Sequence, residues 1–258
     1  MAKRPKHNTS SPNAAPQGPT EHQLQNAILL ALPRQESDAI LAKLEFVDLP
    51  IHFVLNEIGE AVEDAYFING GVASILNVMS DGKSVEVGLT GKEGFVGLPL
   101  LVGFETSPTQ AVMQIHGTGY RISAAGLAEL LERFPALRKC LNQFSYEMTL
   151  QATQIAACNR LHPVDERLAR WLLMSADRMG SPSFPLTQQF LAHMLGTRRA
   201  SVTVAAGILQ KAGLITYKRG QVNIEKRGKL EEVACECYAQ LVRQVDSWHK
   251  HVLRNAAD

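Results

Sequence analysis

The stretch LGTRRASVTVAAGILQKAGLI, Leu195 to Ile215, sets two arginines at the start of an apolar, small-residue helix. Cations suit a helix C-terminus, where they meet the negative end of the macrodipole, so Arg198 and Arg199 stand at the unfavourable end. The placement becomes reasonable when that end points at a polyanion. A guanidinium can donate two hydrogen bonds to guanine O6 and N7 in a DNA major groove, worth about 1–3 kcal/mol of discrimination between bases. Ser201 and Thr203 fall near the same outer face and can reach phosphates or base edges. Gln210 joins them there, while Val202, Ala205 and Leu209 form the stripe expected to be buried.

The elements that would hold these side chains can be read on either side. Thr187 is a natural N-cap for a short helix QQFLAHML, and Thr187 and Gln188 can anchor it on the DNA backbone. Ala192 is small where two helices would cross. Gly196 sits in the turn, where a left-handed backbone is expected. Thr197 is then expected to cap a second helix running from Arg198 to about Ala212, stopped by Gly213. Downstream, the runs 214–217 and 222–224 read as two short strands joined by Lys218-Arg219-Gly220-Gln221. Together these make a winged helix-turn-helix with Lys218 and Arg219 as phosphate-contact candidates at the wing tip.

Charge supports the division. Residues 21–159 hold 8 Lys and Arg against 16 Asp and Glu, whereas residues 160–229 hold 12 against 4. An acidic front half on a basic segment suggests that one part senses and the other touches nucleic acid. No run approaches eighteen consecutive apolar residues, so no membrane span is expected. The first twenty residues, polar and rich in Pro, Ser and Asn, read as a disordered tail without the apolar core of an export signal. The four cysteines, Cys140, Cys158, Cys235 and Cys237, form no C-x-x-C pair, and reduced thiols in the cytoplasm are expected. Cys235 and Cys237 read as helix positions, one of them partly buried, with redox activity as the alternative.

The acidic half changes period along its length. Residues 24–44 read as short helices broken at Pro33. From about Phe46 to Ile122, short apolar runs alternate with turns, as in Val85-Glu86-Val87-Gly88-Leu89 and the hairpin Ser80-Asp81-Gly82-Lys83. Such spacing fits a jelly-roll-like sandwich. Residues 124–134 form a short amphipathic helix. Residues 136–160 then read as one helix about 37 Å long, with Leu137, Leu141, Phe144, Met148 and Ile155 along an apolar stripe. That stripe is expected to be a parallel dimer seam, the alternative being packing on its own β-domain. Another helix begins near Pro163 and ends at Gly180. A last amphipathic helix spans residues 229–254, with Leu230, Val233, Cys237, Leu241, Val245, Trp248 and Val252 on one side.

This order of parts resembles the Crp/Fnr family of bacterial transcription regulators over about residues 24–228. The motif LTQQFLAHMLGTRRASVTVAAGILQKAGLI carries the resemblance, with GKEGFVG in the β-region adding to it. It implies an α+β chain: a tail over 1–20, a cyclic-nucleotide-binding-like double-stranded β-helix over 21–135, a dimerisation helix over 136–160, a Crp-type winged helix-turn-helix over 161–228 and a C-terminal helix over 229–258. The implied partners are a pseudo-palindromic double-stranded DNA operator, a second copy of the chain and RNA polymerase.

Departures from the family pattern matter as much. Cyclic-AMP-binding members follow the turn ending at Gly97 with a ribose-holding glutamate, where this chain has Leu98. Their phosphate-binding Arg-Ser pair is replaced by Thr109-Gln110, and their Thr-Ser pair near adenine by Ala152-Thr153. Without the arginine a buried phosphate lacks its counter-charge, so no cyclic AMP binding is expected. No cluster-forming cysteines precede Cys140, and His52 and His116 are haem ligands only in principle. His162 and His193 read as packing or phosphate-contact residues. No cofactor and no metal site is expected. In the reading helix, the family's Arg-Glu start becomes Arg199-Ala200, a later arginine becomes Val204 and a lysine becomes Gly207, so the family's operator is not carried over. Val204 could instead touch a thymine methyl. A metabolite-switched or redox-switched regulator remains the alternative, followed by a β-sandwich metalloenzyme, which isolated His52 and His116 serve poorly.

Overall fold

The computed structural model describes residues 23–255, with side chains through Lys250. The expected tail over residues 1–20 and the Val252 side chain lie outside the described residues. Two short helices open the chain, α1 (Ala27–Leu30) and α2 (Arg34–Leu41). Buried Asn26 caps α1 by accepting from the Leu29 amide at 3.1 Å, and its Nδ2 donates to the carbonyls of Ile68 and Gly94, both at 2.8 Å. One amide side chain thus fastens the opening helix to the β-domain that follows.

That domain contains β1 (Glu45–Leu49), β2 (Val54–Asn56), β3 (Asp64–Ile68), β4 (Val72–Val78), β5 (Ser84–Thr90), β6 (Phe95–Val96), the short α3 (Leu98–Leu101), β7 (Gln110–Ile115) and β8 (Gly117–Ser123). The strands form two antiparallel four-stranded sheets, ordered β1-β8-β3-β6 and β2-β7-β4-β5. Alternation puts Leu49, Ile68, Ala73 and Met113 between the sheets, which is the roll expected from the spacing of short strands.

Ser123 caps α4 (Ala124–Arg133), accepting from the Gly126 amide. Then α5 (Pro135–Leu161) runs 27 residues, about 40 Å. The expected dimer seam requires correction. Leu137, Leu141, Phe144 and Ile155 are each no more than 3 % exposed within the single chain, and Met148 is half-buried beside them. Leu137 and Leu141 share a cluster with Ile28, Phe95 and Leu127, and Phe144 meets Trp248 at a ring separation of 5.7 Å. The stripe is real, but the protomer's own β-domain and C-terminal helix cover it.

The remaining elements are α6 (Val164–Met179), β9 (Ser183–Pro185), α7 (Gln188–Met194), α8 (Arg199–Lys211), β10 (Ile215–Lys218), β11 (Gln221–Ile224), α9 (Arg227–Val233) and α10 (Cys237–Asn255). The expected single C-terminal helix is therefore two. Ala234 is extended, and Cys235 and Cys237 on either side of Glu236 both turn inward. Residues two apart on a continuous helix point roughly 200° apart, so the helix must break for both to face one place. Beyond the break, Leu241 and Trp248 pack α10 back on the body.

The β-domain and the helix-turn-helix share one core. Val72, Leu89 and Ile115 of the roll lie in a continuous cluster with Leu172, Leu195 and Leu209. A buried polar network crosses that seam. Trp171 Nε1 donates to Glu86 Oε1 at 3.1 Å, and Ser74 Oγ lies 2.7 Å from Glu86 Oε2 and 2.6 Å from Gln114 Oε1. Ser74 has one proton for two acceptors. The count closes if Glu86 is protonated and donates to Ser74, which then donates to Gln114. Burial, opposed by Ser74, Arg170, Arg178 and Trp171, raises the Glu86 carboxyl to about 7. Beside it Arg178 Nε meets Glu93 Oε1 at 2.6 Å, both side chains at most 9 % exposed.

A carboxyl raised on folding holds its proton more tightly in the folded chain. Its contribution is therefore greatest below the ordinary value of 4.5 and is lost as pH rises to about 7. Across that window the wild type should lose on the order of 3 kcal/mol more stability than Glu86→Gln. Urea unfolding of both proteins at stepped pH measures the difference; parallel curves would show that Glu86 does not titrate in that window.

Candidate nucleic-acid interface

The helix-turn-helix is assembled by local signals. Thr187 Oγ1 accepts from the Phe190 amide at 3.1 Å and starts α7. Gly196 takes φ +56°, the left-handed turn expected there. A side chain at Gly196 would also strike Val85, since its Cβ would lie 2.9 Å from Val85 Cγ2 on β5. The N-cap of α8 is Arg198 rather than Thr197, and its side chain makes no cap bond. One more residue lies in the turn than the Thr cap would require, so Thr197 stays half-exposed between the helices. Inside, Val202, Ala205 and Leu209 are at most 3 % exposed and face α6.

Outside, Arg198, Arg199, Ala200, Thr203 and Val204 are exposed, and Ser201 is half-buried. Thr203 Oγ1 lies 2.8 Å from Gln188 Oε1, which ties the start of α7 to the face of α8. Gln210 is committed elsewhere: its Oε1 accepts from the Tyr217 amide at 3.1 Å and fixes the wing to α8. Ile208, which the sequence reading missed, is 49 % exposed. It follows Val204 by four positions, so the two sit on one face, opposite the buried stripe. That spacing was the available signal. No contact closer than 4 Å would meet a Cβ at Gly207, so nothing in the structure explains that glycine.

The wing has three strands, ordered β10-β11-β9. Ser183–Pro185 was missed because three residues ending in proline carry little strand signal, but an edge position tolerates proline. Arg219 (φ +50°) and Gly220 (φ +76°) form the tight connection of β10 and β11. Lys218 and Arg219 are exposed there. Tyr217 donates its hydroxyl to the Leu186 carbonyl at 2.6 Å, holding the wing against the segment before α7. Arg198, Arg199, Lys218, Arg219, Thr187 and Gln188 are thus carried by one rigid unit able to face a duplex.

A second feature lies between the roll and α5. A cavity of about 610 Å³ is lined by Phe95, Gly97, Leu98, Thr109, Met148, Ala152 and Thr153 among others, with no charged side chain in its wall. Gly97 has φ +129°, and a Cβ there would come within 2.7 Å of Ala65 Cβ. Gln110 is outside the cavity wall, where its Nε2 donates to both Glu57 oxygens at 3.0 and 2.9 Å. His52 lies against Phe190 at 6.0 Å between rings, His116 pairs with exposed Asp48, and His193 meets Gln189 at 2.8 Å. No two of these histidines share a site. No helix among the described residues is long and apolar enough to cross a membrane.

Residues 166–233 match the Crp-like helix-turn-helix domain family. No curated protein matches the chain in sequence. Several solved structures share its fold. CLP of Xanthomonas campestris, described as a c-di-GMP responsive global regulator, superposes with a TM-score of 0.63 at 19% identity over 74% of this chain and 98% of that one. FixK2 of Bradyrhizobium japonicum gives 0.64 at 15% identity over 74% and 98%. A CRP/FNR family transcriptional regulator of Thermus thermophilus gives 0.59 at 21% identity over the same shares. The domain match and the geometry of α7, α8 and the wing define a Crp-like DNA-binding helix-turn-helix. The chain therefore carries a Crp-like helix-turn-helix domain over residues 166–233, on a fold that it shares with regulators described as CRP/FNR.

Two substitutions separate base reading from backbone contact. Arg199→Ala should weaken binding to a selected site by about 1–3 kcal/mol and relax the preference at one base pair. Arg219→Ala should weaken all duplexes alike and lower the salt slope of log affinity by about 1. Fluorescence anisotropy over a salt series reads both. Identical profiles for the two variants would remove the distinction.

Proposed function

We propose that the chain is a homodimeric, sequence-specific regulator that reads a pseudo-palindromic operator without control by cyclic AMP. The observation that carries the second half is the uncharged cavity wall. A cyclic phosphate buried there would have no cation to meet it, and a buried unpaired charge costs several kcal/mol. Glu57, paired with Gln110 nearby, adds a negative charge rather than a positive one. Cyclic di-GMP carries two such phosphates and meets the same obstacle.

The dimer reading rests on the outer face of α5. With the apolar stripe occupied, Tyr146, Thr149, Thr153 and Ala156 remain along the opposite side. Their spacing of three and four keeps them on one line of a helix. Thr149, Thr153 and Ala156 are small enough there to let two backbones approach, and two parallel helices would set two reading helices about 34 Å apart, one turn of DNA. Such a dimer works beside DNA in the cytoplasm, with RNA polymerase as its further partner. The apolar cavity supports a second reading, in which a small uncharged metabolite fills it and adjusts the dimer.

Selection of random duplex DNA by the ligand-free protein, followed by anisotropy with and without cyclic AMP or cyclic di-GMP, tests the proposal. A two-fold-symmetric site, bound with the same affinity in all three conditions, is expected. Saturable binding of either nucleotide at micromolar concentration, with tightened DNA affinity, would overturn the effector reading. A site lacking symmetry would overturn the dimer reading.

A further inference from the structure

We propose that Cys158, His162, Cys235 and Cys237 form a tetrahedral site for one soft divalent cation of the zinc class, clasping the end of α5 to the turn between α9 and α10. The four ligand atoms all lie within 4.8 Å of one another. Cys158 Sγ is 3.5 Å from Cys235 Sγ, and Cys237 Sγ is 3.6 Å from His162 Nδ1. A zinc–sulfur bond of about 2.3 Å sets tetrahedral sulfurs roughly 3.8 Å apart, close to this spacing. It is too wide for a disulfide, whose sulfurs lie about 2.05 Å apart. An iron–sulfur cluster interposes several atoms between its thiolates and would spread them further. Three thiolates and one imidazole are a donor set of structural zinc sites.

Outer contacts orient the donors. His162 presents Nδ1 to the sulfurs while its Nε2 lies 3.0 Å from Glu236 Oε2, the arrangement that fixes tautomer and ring plane in metal-bound histidines. Gln154 Nε2 donates to Cys237 Sγ at 3.0 Å.

An independent observation concerns charge. Arg167 and Arg170 are 7 % and 2 % exposed, and neither makes a salt bridge within the described residues. The Nε of each is buried without a hydrogen-bond partner. Both lie close enough to act on Cys158. Buried guanidinium ions need compensating negative charge. Neutral thiols supply none, and Glu86 is largely protonated below about pH 7. Three thiolates around a divalent ion carry one net negative charge, the sign that this pocket of cations needs. On loading, each cysteine gives its proton to solvent and neutral His162 gives none.

The position gives the site its consequence. Cys158 and His162 are one helical turn apart at the end of α5, and His162 is that helix's C-cap, immediately before Pro163 and α6. An ion there stiffens the hinge through which the long helix orients the reading domain. Arg167, one turn into α6, donates to the Leu195 carbonyl in the turn before α8, so the hinge is linked to the reading helix.

Elemental analysis of the full-length protein after dialysis against metal-free buffer is the test, joined by cobalt(II) titration of protein stripped with a chelator. One zinc per chain is expected, and cobalt should give one equivalent of thiolate-to-metal charge-transfer absorption with the visible bands of a tetrahedral ion. Cys158→Ser and Cys235→Ser should each retain less than about a tenth of the metal. Cys140→Ser should retain all of it, since Cys140 lies about 27 Å along the same helix from Cys158. Metal-free wild type without cobalt absorption would overturn the proposal even if the variants fail to fold. Iron with acid-labile sulfide would overturn the single-ion site in favour of a cluster.

Discussion

The contact between Glu86 on β5 and Trp171 on α6 ties the roll to the helix on which the reading helix packs. α6 lies between the two functional halves. One side lowers Trp171 onto the roll, and the other receives α8 through Val202, Ala205 and Leu209. Because the roll and the helix-turn-helix share one apolar cluster, α8 has no independent hinge of its own. A change in the roll can reach it by altering the seam around Glu86, Ser74 and Gln114, or the Arg178–Glu93 pair beside it. Close-packed seams tend to switch between discrete arrangements rather than deform smoothly.

How much of this could be read from the chain differs by element. The helix-turn-helix is legible because its signals are local: a threonine cap at 187, a glycine forced left-handed at 196, and an apolar stripe of helical period. Sheet alternation likewise reveals the roll. The role of the α5 stripe was not legible. Periodicity says that Leu137, Leu141 and Phe144 are buried, yet it does not say what buries them, and α10 lies far along the chain, beyond the whole reading domain. The Cys158, His162, Cys235, Cys237 group was hidden for the same reason. Its halves are 77 residues apart, so only the folded chain brings them together. The break that makes Cys235 and Cys237 face the same way runs against an amphipathic pattern that continues through it.

The β-roll keeps a cavity with no charged side chain in its wall. Its wall joins the inner strands to the side of α5 that carries Thr149 and Thr153, so whatever fills it would lie beside the helix face available to a second chain. In the proposed dimer, occupancy and dimer geometry would be coupled by position. Just beyond the cavity, at the C-terminal end of α5, the cysteine–histidine group lies at the junction with α6. The long helix is thus flanked by an apolar cavity along its length and a cysteine–histidine group at its end.

Hydroxyl-radical and guanine-methylation footprinting of the wild-type protein on its selected duplex is the most direct measurement. Guanine protection in two successive major grooves on one face of the DNA, with centres about one helical turn apart, is expected from two outward-facing α8 helices. Loss of guanine protection in Arg199→Ala, with the backbone footprint retained, would complete that pattern. A footprint in a single groove, or one confined to the minor groove and indifferent to Arg199, would contradict it.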